Sequence, residues 1–253
     1  MNLRATSSTN CELSFVVPAH NEETLLGRTV ASIRAAAEAT GREYEIIVVD
    51  DDSTDRTAEI AREQGCRVVQ VRLRQIGAVR NAGAAQAGGE TLVFVDADTV
   101  LPEATLAAAL RALDEGAIGG GASLAFDGPT AFWARAILPI GNVLCRWTRL
   151  SPGCFLFARR QVFREVGGFD PRYFAAEEWV LSRDLARLGR FTVLRETSIT
   201  SGRKGTSREL RRLMVLLLRL SFRGRKVLQQ REGLDIWYDA SRSESVDRQL
   251  AEK

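Results

Sequence analysis

From Leu13 to about residue 100, short apolar runs alternate with stretches in which apolar residues recur at helical spacing. LSFVVPA (13–19), YEIIVVD (44–50), CRVVQVR (66–72) and the run that begins at Thr91 are strand-like. Leu25, Leu26, Val30, Ile33 and Ala37 predict a helix after the first strand, and Ser53 to Gln64 predicts one after the second. Asn21 is placed to cap the first helix, with Glu22 and Glu23 at its positive end. An Ala/Gly-rich segment, 75–88, precedes the fourth strand, and Pro102 suits the first turn of a helix reaching about Glu115. This β-α-β-α rhythm predicts a mainly parallel sheet with helices on both faces.

The second half is less regular. GGGASLAF (119–126) reads as a strand with a flexible start, CFLFA (154–158) as a short strand, and RFTVL (190–194) as the last one. Arg159 to Val166 and 176–188 read as helices, while FWARAILPIGNVLCRW (132–147) is at once apolar, aromatic and basic. Segment 207–230 reads as a basic amphipathic helix, in which Leu210, Leu213, Leu216, Leu217 and Leu220 alternate with arginines.

Composition narrows the classes. With 45% apolar and 26% charged residues the chain is an ordinary globular one, and a net charge of +3 is too small to argue for nucleic acid. The charge is uneven, because Arg203 to Arg231 holds ten Lys or Arg and one acid, Glu209. The four cysteines have no C-x-x-C spacing, which excludes the usual zinc and redox motifs. MNLRATSSTN lacks the apolar core of a signal peptide, and LMVLLL, ended by Arg219, is too short to span a bilayer. The expected setting is therefore cytoplasmic, with contact to an anionic membrane surface open to the basic helix and to 132–147.

Two strands end in acid, at VVDDD (Asp50 to Asp52) and VDAD (Asp96 to Asp98). Parallel strands share a direction, so both ends lie on one sheet edge, where clustered carboxylates repel unless a cation or donor compensates. D-x-D serves either as nucleophile and acid/base partner toward phosphorus, or as a clamp for a hard cation such as Mn²⁺ or Mg²⁺. A further alternative is that Asp50 to Asp55 only cap helices and turns.

VVPAHNEE (16–23), EIIVVDDDSTDRT (45–57), AVRNAGAAQAGGETLVFVDADT (78–99) and FLFARRQVFREVGGFDPRYFAAEEWVLSRDLARLGR (155–190) together resemble a family 2 glycosyltransferase of the GT-A fold, a Rossmann-like α/β architecture with a mixed, mainly parallel sheet. The resemblance implies a domain over 1–202, with a nucleotide-sugar half near 13–100 and an acceptor half near 118–200, followed by a basic helical extension at 203–253. It also implies metal-dependent transfer of a sugar from a nucleoside-diphosphate sugar to an acceptor hydroxyl, inverting by single displacement. Pro18, His20 and Glu22 would line the base and ribose pocket, Asp51 would accept a hydrogen bond from the base, and Arg80 would approach the diphosphate. Asp96 would serve ribose and metal, and Asp98 the metal directly, which favours the cation clamp.

Glu177-Glu178 stands where such enzymes carry their E-D pair, so Glu178 is the implied base, with Glu177 as its alternative. Two departures matter: the second acid is a glutamate, one methylene longer, and no histidine follows the last strand to complete a metal site. Arg203 and Lys204 are candidates to hold the diphosphate instead. The acceptor class, a sugar or a lipid-linked molecule, stays open. The absence of Q-x-x-R-W argues against a processive synthase. The rival readings are a haloacid-dehalogenase-type phosphatase, since VFVDADTV also fits D-x-D-x-T, and an inactive glycosyltransferase-like binding protein.

Overall fold

The computed structural model of the chain describes residues 11–127 and 132–201. The expected basic helix at 207–230, together with Arg203 and Lys204, lies outside the described residues. Strands β1 (Leu13–Ala19), β2 (Tyr44–Asp51), β3 (Arg67–Val71), β4 (Thr91–Val95), β5 (Thr99–Val100), β6 (Ala117–Asp127), β7 (Phe155–Arg159) and β8 (Arg190–Ser201) form one sheet in the order β3-β2-β1-β4-β7-β6-β8-β5. Helices α1 (Leu26–Glu38), α2 (Thr57–Glu63), α3 (Ile76–Gln86), α4 (Glu103–Asp114), α5 (Phe132–Thr148), α6 (Arg160–Glu165) and α7 (Glu177–Leu188) connect and cover it.

β1 and β4 are buried along their whole length, and β2 from Ile46 onward, as expected of strands covered on both faces. Side chains alternate between two cores. Phe15, Val17, Val48, Val93 and Val95 pack with Leu26, Val30, Ile33, Leu106 and Leu113 of α1 and α4. Val16, Ile47, Val49, Leu92 and Phe94 pack on the other face with Val79, Phe163, Leu181 and Leu185 of α3, α6 and α7. The Ala/Gly-rich segment is α3, whose Gly83 lies so close to Val16 and Val49 that a Cβ there would overlap both.

The sheet is mixed. β3, β2, β1 and β4 run parallel, but β7 enters antiparallel between β4 and β6, and β5 pairs antiparallel with β8. β8 extends well beyond the expected 190–194, because after a register shift it keeps pairing with β6 as far as Ser201 opposite Asp127.

Asn21 does not cap α1. That helix starts at Leu26 behind Leu25, which makes no side-chain cap bond, whereas Asn21 adopts a left-handed backbone (φ 52) and accepts the Thr54 N–H through Oδ1 at 2.8 Å. The second helix likewise starts only at Thr57. Residues 53–56 are drawn into a zipper with the loop after β1. Ser53 Oγ accepts from Asn21 N at 3.0 Å, Asp55 from Glu23 N at 3.1 Å, and Glu23 from Arg56 N at 3.0 Å. Ser53 and Asp55 thus have the turn-building role read as the alternative in the sequence.

Gly120 of β6 is in register with Phe157 on one side and Thr192 on the other, and a Cβ there would overlap the Thr192 carbonyl oxygen and the Phe157 ring. Gly120→Ala should therefore destabilise the fold by about 1–3 kcal/mol, as an overpacking change does. Urea unfolding checks this, and an unchanged midpoint would show that the strands can part at no cost.

Candidate active site

β1, β2 and β4 are parallel neighbours, so the polar residues that follow them gather along one sheet edge. The chain turns at once after β4: Asp96 N–H bonds to Cys154 O at 3.2 Å, and Thr99 N–H bonds back to Asp96 O at 3.0 Å. Asp98 is buried; its Oδ1 accepts the Thr200 hydroxyl at 3.2 Å, and its carbonyl accepts Ser201 N–H at 3.1 Å. β8 therefore fixes the second acid of the D-x-D. Among the described residues no cluster of three or more His, Cys, Asp or Glu is arranged to hold a metal ion. Asp96 and Asp98, one residue apart in sequence, carry the carboxylate oxygens that a hard cation takes as ligands.

On the β2 side, Asp51 is buried and spends its carboxylate on the loop that follows β3. Oδ1 accepts Leu73 N–H at 2.6 Å, and Oδ2 accepts Arg74 N–H at 2.8 Å. His20 lies between Asp51 O at 2.9 Å from Nδ1 and Arg74 Nη1 at 2.9 Å from Nε2. A carbonyl only accepts and a guanidinium only donates, so the ring carries its proton on Nδ1. His20 thereby holds the loop, with Nε2 already engaged.

Arg74 also reaches Asp52 Oδ2 at 2.8 Å, and this bond, more than the nearby Arg72 charge, holds the Asp52 carboxyl below its usual range. Pro18 is buried in β1, and Glu22 binds the loop zipper through its own N–H to Thr57 Oγ1 at 2.8 Å. Arg74 was not singled out from sequence. RLRQ offers no periodicity that marks it, and only its left-handed backbone (φ 51) turns it toward His20.

Arg80 lies deeper than expected. It is 4% exposed, Nη1 donates to Glu177 Oε1 at 2.7 Å, and Nη2 donates to Asp96 Oδ1 at 2.7 Å and Gly153 O at 3.2 Å. The guanidinium carbon also sits 5.2 Å from the Phe169 ring centre. Burial alone would lower its pKa, but Asp96, Glu177 and Glu178 together hold it above its ordinary value.

Glu177 is buried and ion-paired, whereas Glu178 is half-buried against Gly153, where a Cβ would come within 3.0 Å of Glu178 Oε1. Gly153 has φ 88, so both its backbone and its missing side chain suit this contact. Burial first, and then the Glu177 charge, raise the Glu178 pKa well above the ordinary carboxyl value, with Arg80 pulling the other way. Ala176, just before the pair, is held at φ 58. The structure thus brings Asp96, Arg80, Glu177 and Glu178 together, keeps Asp51 and His20 in a second cluster, and distinguishes the two glutamates.

Residues 14–176 match the family described as Glycosyl transferase family 2. The chain belongs to that family. It is 34% identical over 159 residues to an undecaprenyl-phosphate 4-deoxy-4-formamido-L-arabinose transferase of Edwardsiella ictaluri, covering 58% of this chain and 49% of that one. It is also 37% identical over 100 residues to a 4,4'-diaponeurosporenoate glycosyltransferase of Staphylococcus haemolyticus, covering 37% and 26%. The chain thus spans about half of the first relative's length, and less of the second's.

A mannosyltransferase from Pyrobaculum calidifontis, solved with GDP-Man and Mn²⁺, superposes with a TM-score of 0.64 at 17% identity over 95% of this chain and 74% of its own. Glucosyl-3-phosphoglycerate synthase from Mycobacterium tuberculosis, solved with Mn²⁺, UDP and glucosyl-3-phosphoglycerate, gives 0.61 at 22% identity over 87% and 86%. These neighbours establish the fold as the GT-A type.

Replacing Asp51 by Asn would set an amide NH₂ against one of two main-chain N–H groups. Leaving that buried donor unpaired should cost about 1–3 kcal/mol. A lower urea midpoint at unchanged slope is the expected result; a midpoint equal to that of the unaltered protein would mean the loop after β3 does not depend on Asp51.

Proposed function

We propose that this chain transfers a sugar from a nucleoside-diphosphate sugar to an acceptor hydroxyl, with inversion in a single displacement and with Glu178 as general base. The observation that carries the proposal is the meeting of Asp96, just after β4, with Glu177 of α7 on one buried arginine. Asp96 and Asp98 would hold a divalent cation, Mn²⁺ or Mg²⁺, which when bound neutralises the departing diphosphate. Asp51 and His20, joined through the loop after β3, would form the base side of the donor pocket, with Pro18 and Glu22 next to them. Family membership and the two Mn²⁺-containing neighbours support a cation-assisted transfer. No comparison favours the phosphatase alternative, and D-x-D follows the fourth strand of this sheet rather than the first.

Glu178 is suited to the base role because burial and Glu177 make its carboxylate a stronger proton acceptor than an exposed one. A base works deprotonated, so turnover should fall as the pH drops through this raised value, above the ordinary glutamate range near ~4.3. Glu178→Gln should cut nucleoside-diphosphate release from a panel of UDP- and GDP-linked hexoses by about 10²-fold or more, while donor binding persists. In the same assay Asp98→Ala should lose its response to Mn²⁺. Full activity in Glu178→Gln would remove Glu178 from the mechanism, and an unchanged Mn²⁺ response in Asp98→Ala would remove the cation clamp.

For the acceptor we propose a lipid-linked molecule. Ile137, Ile140, Val143, Leu144 and Trp147 of α5 are exposed, Trp147 by 83%, and both relatives named above act on lipid-like molecules by name. Among the described residues no helix is long and apolar enough to cross a membrane; the proposed contact is a peripheral one through the exposed apolar side chains of α5. The protein should sediment with anionic vesicles at low and at physiological salt, and Trp147→Glu should weaken this. A protein that stays in the supernatant under both conditions would exclude membrane contact and favour a soluble acceptor.

A further inference from the structure

Arg80 is more than a filled core position. Three elements present acceptors to it: β4 leads into Asp96, the turn before β7 supplies Gly153 O, and α7 supplies Glu177. A guanidinium is a rigid planar fork, so two carboxylates bound to its two ends are held at a fixed separation. Nε is buried with no hydrogen-bond partner, so the arginine is placed by the three hydrogen bonds of its terminal nitrogens and by Phe169 rather than by complete satisfaction.

Building on the transfer reading above, we infer that Arg80 is a positioning residue: it locks Asp96 to Glu177 and, by committing Glu177 to an ion pair, leaves Glu178 as the acid available for proton transfer. Glu177 cannot leave the guanidinium without stranding a buried charge. Glu178 makes no hydrogen bond to Arg80; the charges that act on it are those of Glu177 of α7 and Arg80 of α3, and its own charge in turn raises the pKa of the Cys145 thiol of α5. The arginine charge acts through space on Glu178 and by contact on Asp96, so its loss should affect the proton-transfer step and the donor clamp together.

The test compares Arg80→Lys, Arg80→Met and Glu177→Gln, reading nucleoside-diphosphate release from UDP-GlcNAc and GDP-mannose with Mn²⁺ across pH, with thermal unfolding in parallel. Arg80→Met should lower kcat by about 10²-fold, the scale of a misplacement near 1 Å. It should also move the acid limb of the profile to higher pH, because the charge that eases Glu178 ionisation is gone. Lysine reaches one acid but not both, so Arg80→Lys should fold and still lose kcat more than KM, which keeps the test decisive if the methionine variant unfolds. Glu177→Gln should keep measurable turnover and move the acid limb to lower pH.

Variants of Arg80 that lower only the melting temperature, with the limb and kcat in place, would overturn the inference, as would loss of all turnover in Glu177→Gln. If the unaltered protein releases no nucleoside diphosphate from these donors or from the wider panel, the transfer reading itself fails and this inference with it. An active protein with indifferent Arg80 variants condemns the positioning role alone.

Discussion

A guanidinium taken out of water must be met by anions, and the way Arg80 is met organises the rest of the molecule. Its two carboxylate partners come from opposite halves of the chain, Asp96 from the end of the parallel sheet and Glu177 from the start of α7. Breaking either pair would strand a buried charge, a loss of a few kcal/mol on the scale of buried ion pairs. The chain therefore cannot separate its strand-end acids from its late glutamates without unfolding locally. β7, antiparallel between β4 and β6, brings Gly153 and Cys154 to the same place, so the carbonyls of both residues join the cluster.

Local strain follows the same geography. Of the five described non-glycine residues with positive φ, four border the two clusters: Asn21, Asp52 and Arg74 on the Asp51 side, and Ala176 just before the glutamates. Each such conformation costs roughly 1–3 kcal/mol unless its surroundings fix it. The zipper between the loops after β1 and β2, and the two N–H groups held by Asp51, are what fix the first three. The site thus consists of short, stiff turns mounted on buried strands, which suits a reaction that depends on holding two substrates in line.

Much of this was legible in the residues. The runs at 13–19 and 44–50 became β1 and most of β2, because fully buried strands need continuous apolar side chains. Asp51, Asp96 and Asp98 were visible as acids at strand ends. The antiparallel entry of β7 was not visible, since strand direction leaves no trace in a five-residue run such as FLFAR. Nor was the cap of α1, because Asn21 has an equally good acceptor use across the loop, and a tertiary bond to Thr54 won over a local one. Arg80 was expected to face the diphosphate; only the packing of α3 against Phe169 and α7 shows its terminal nitrogens bound to protein acids. The distinction between Glu177 and Glu178 was equally hidden, because it depends on which of two consecutive helical residues faces that arginine.

In the proposed reaction a strand-end carboxylate pair and one base, Glu178, surround a single donor and act in one displacement. The stereochemistry of the first-formed product decides between this and any double displacement. Proton NMR of the anomeric centre, followed from the earliest turnover, should show configuration opposite to that of the donor. A first-formed product that keeps the donor configuration would require a covalent or front-face mechanism and would rule out Glu178 as the base of a single displacement.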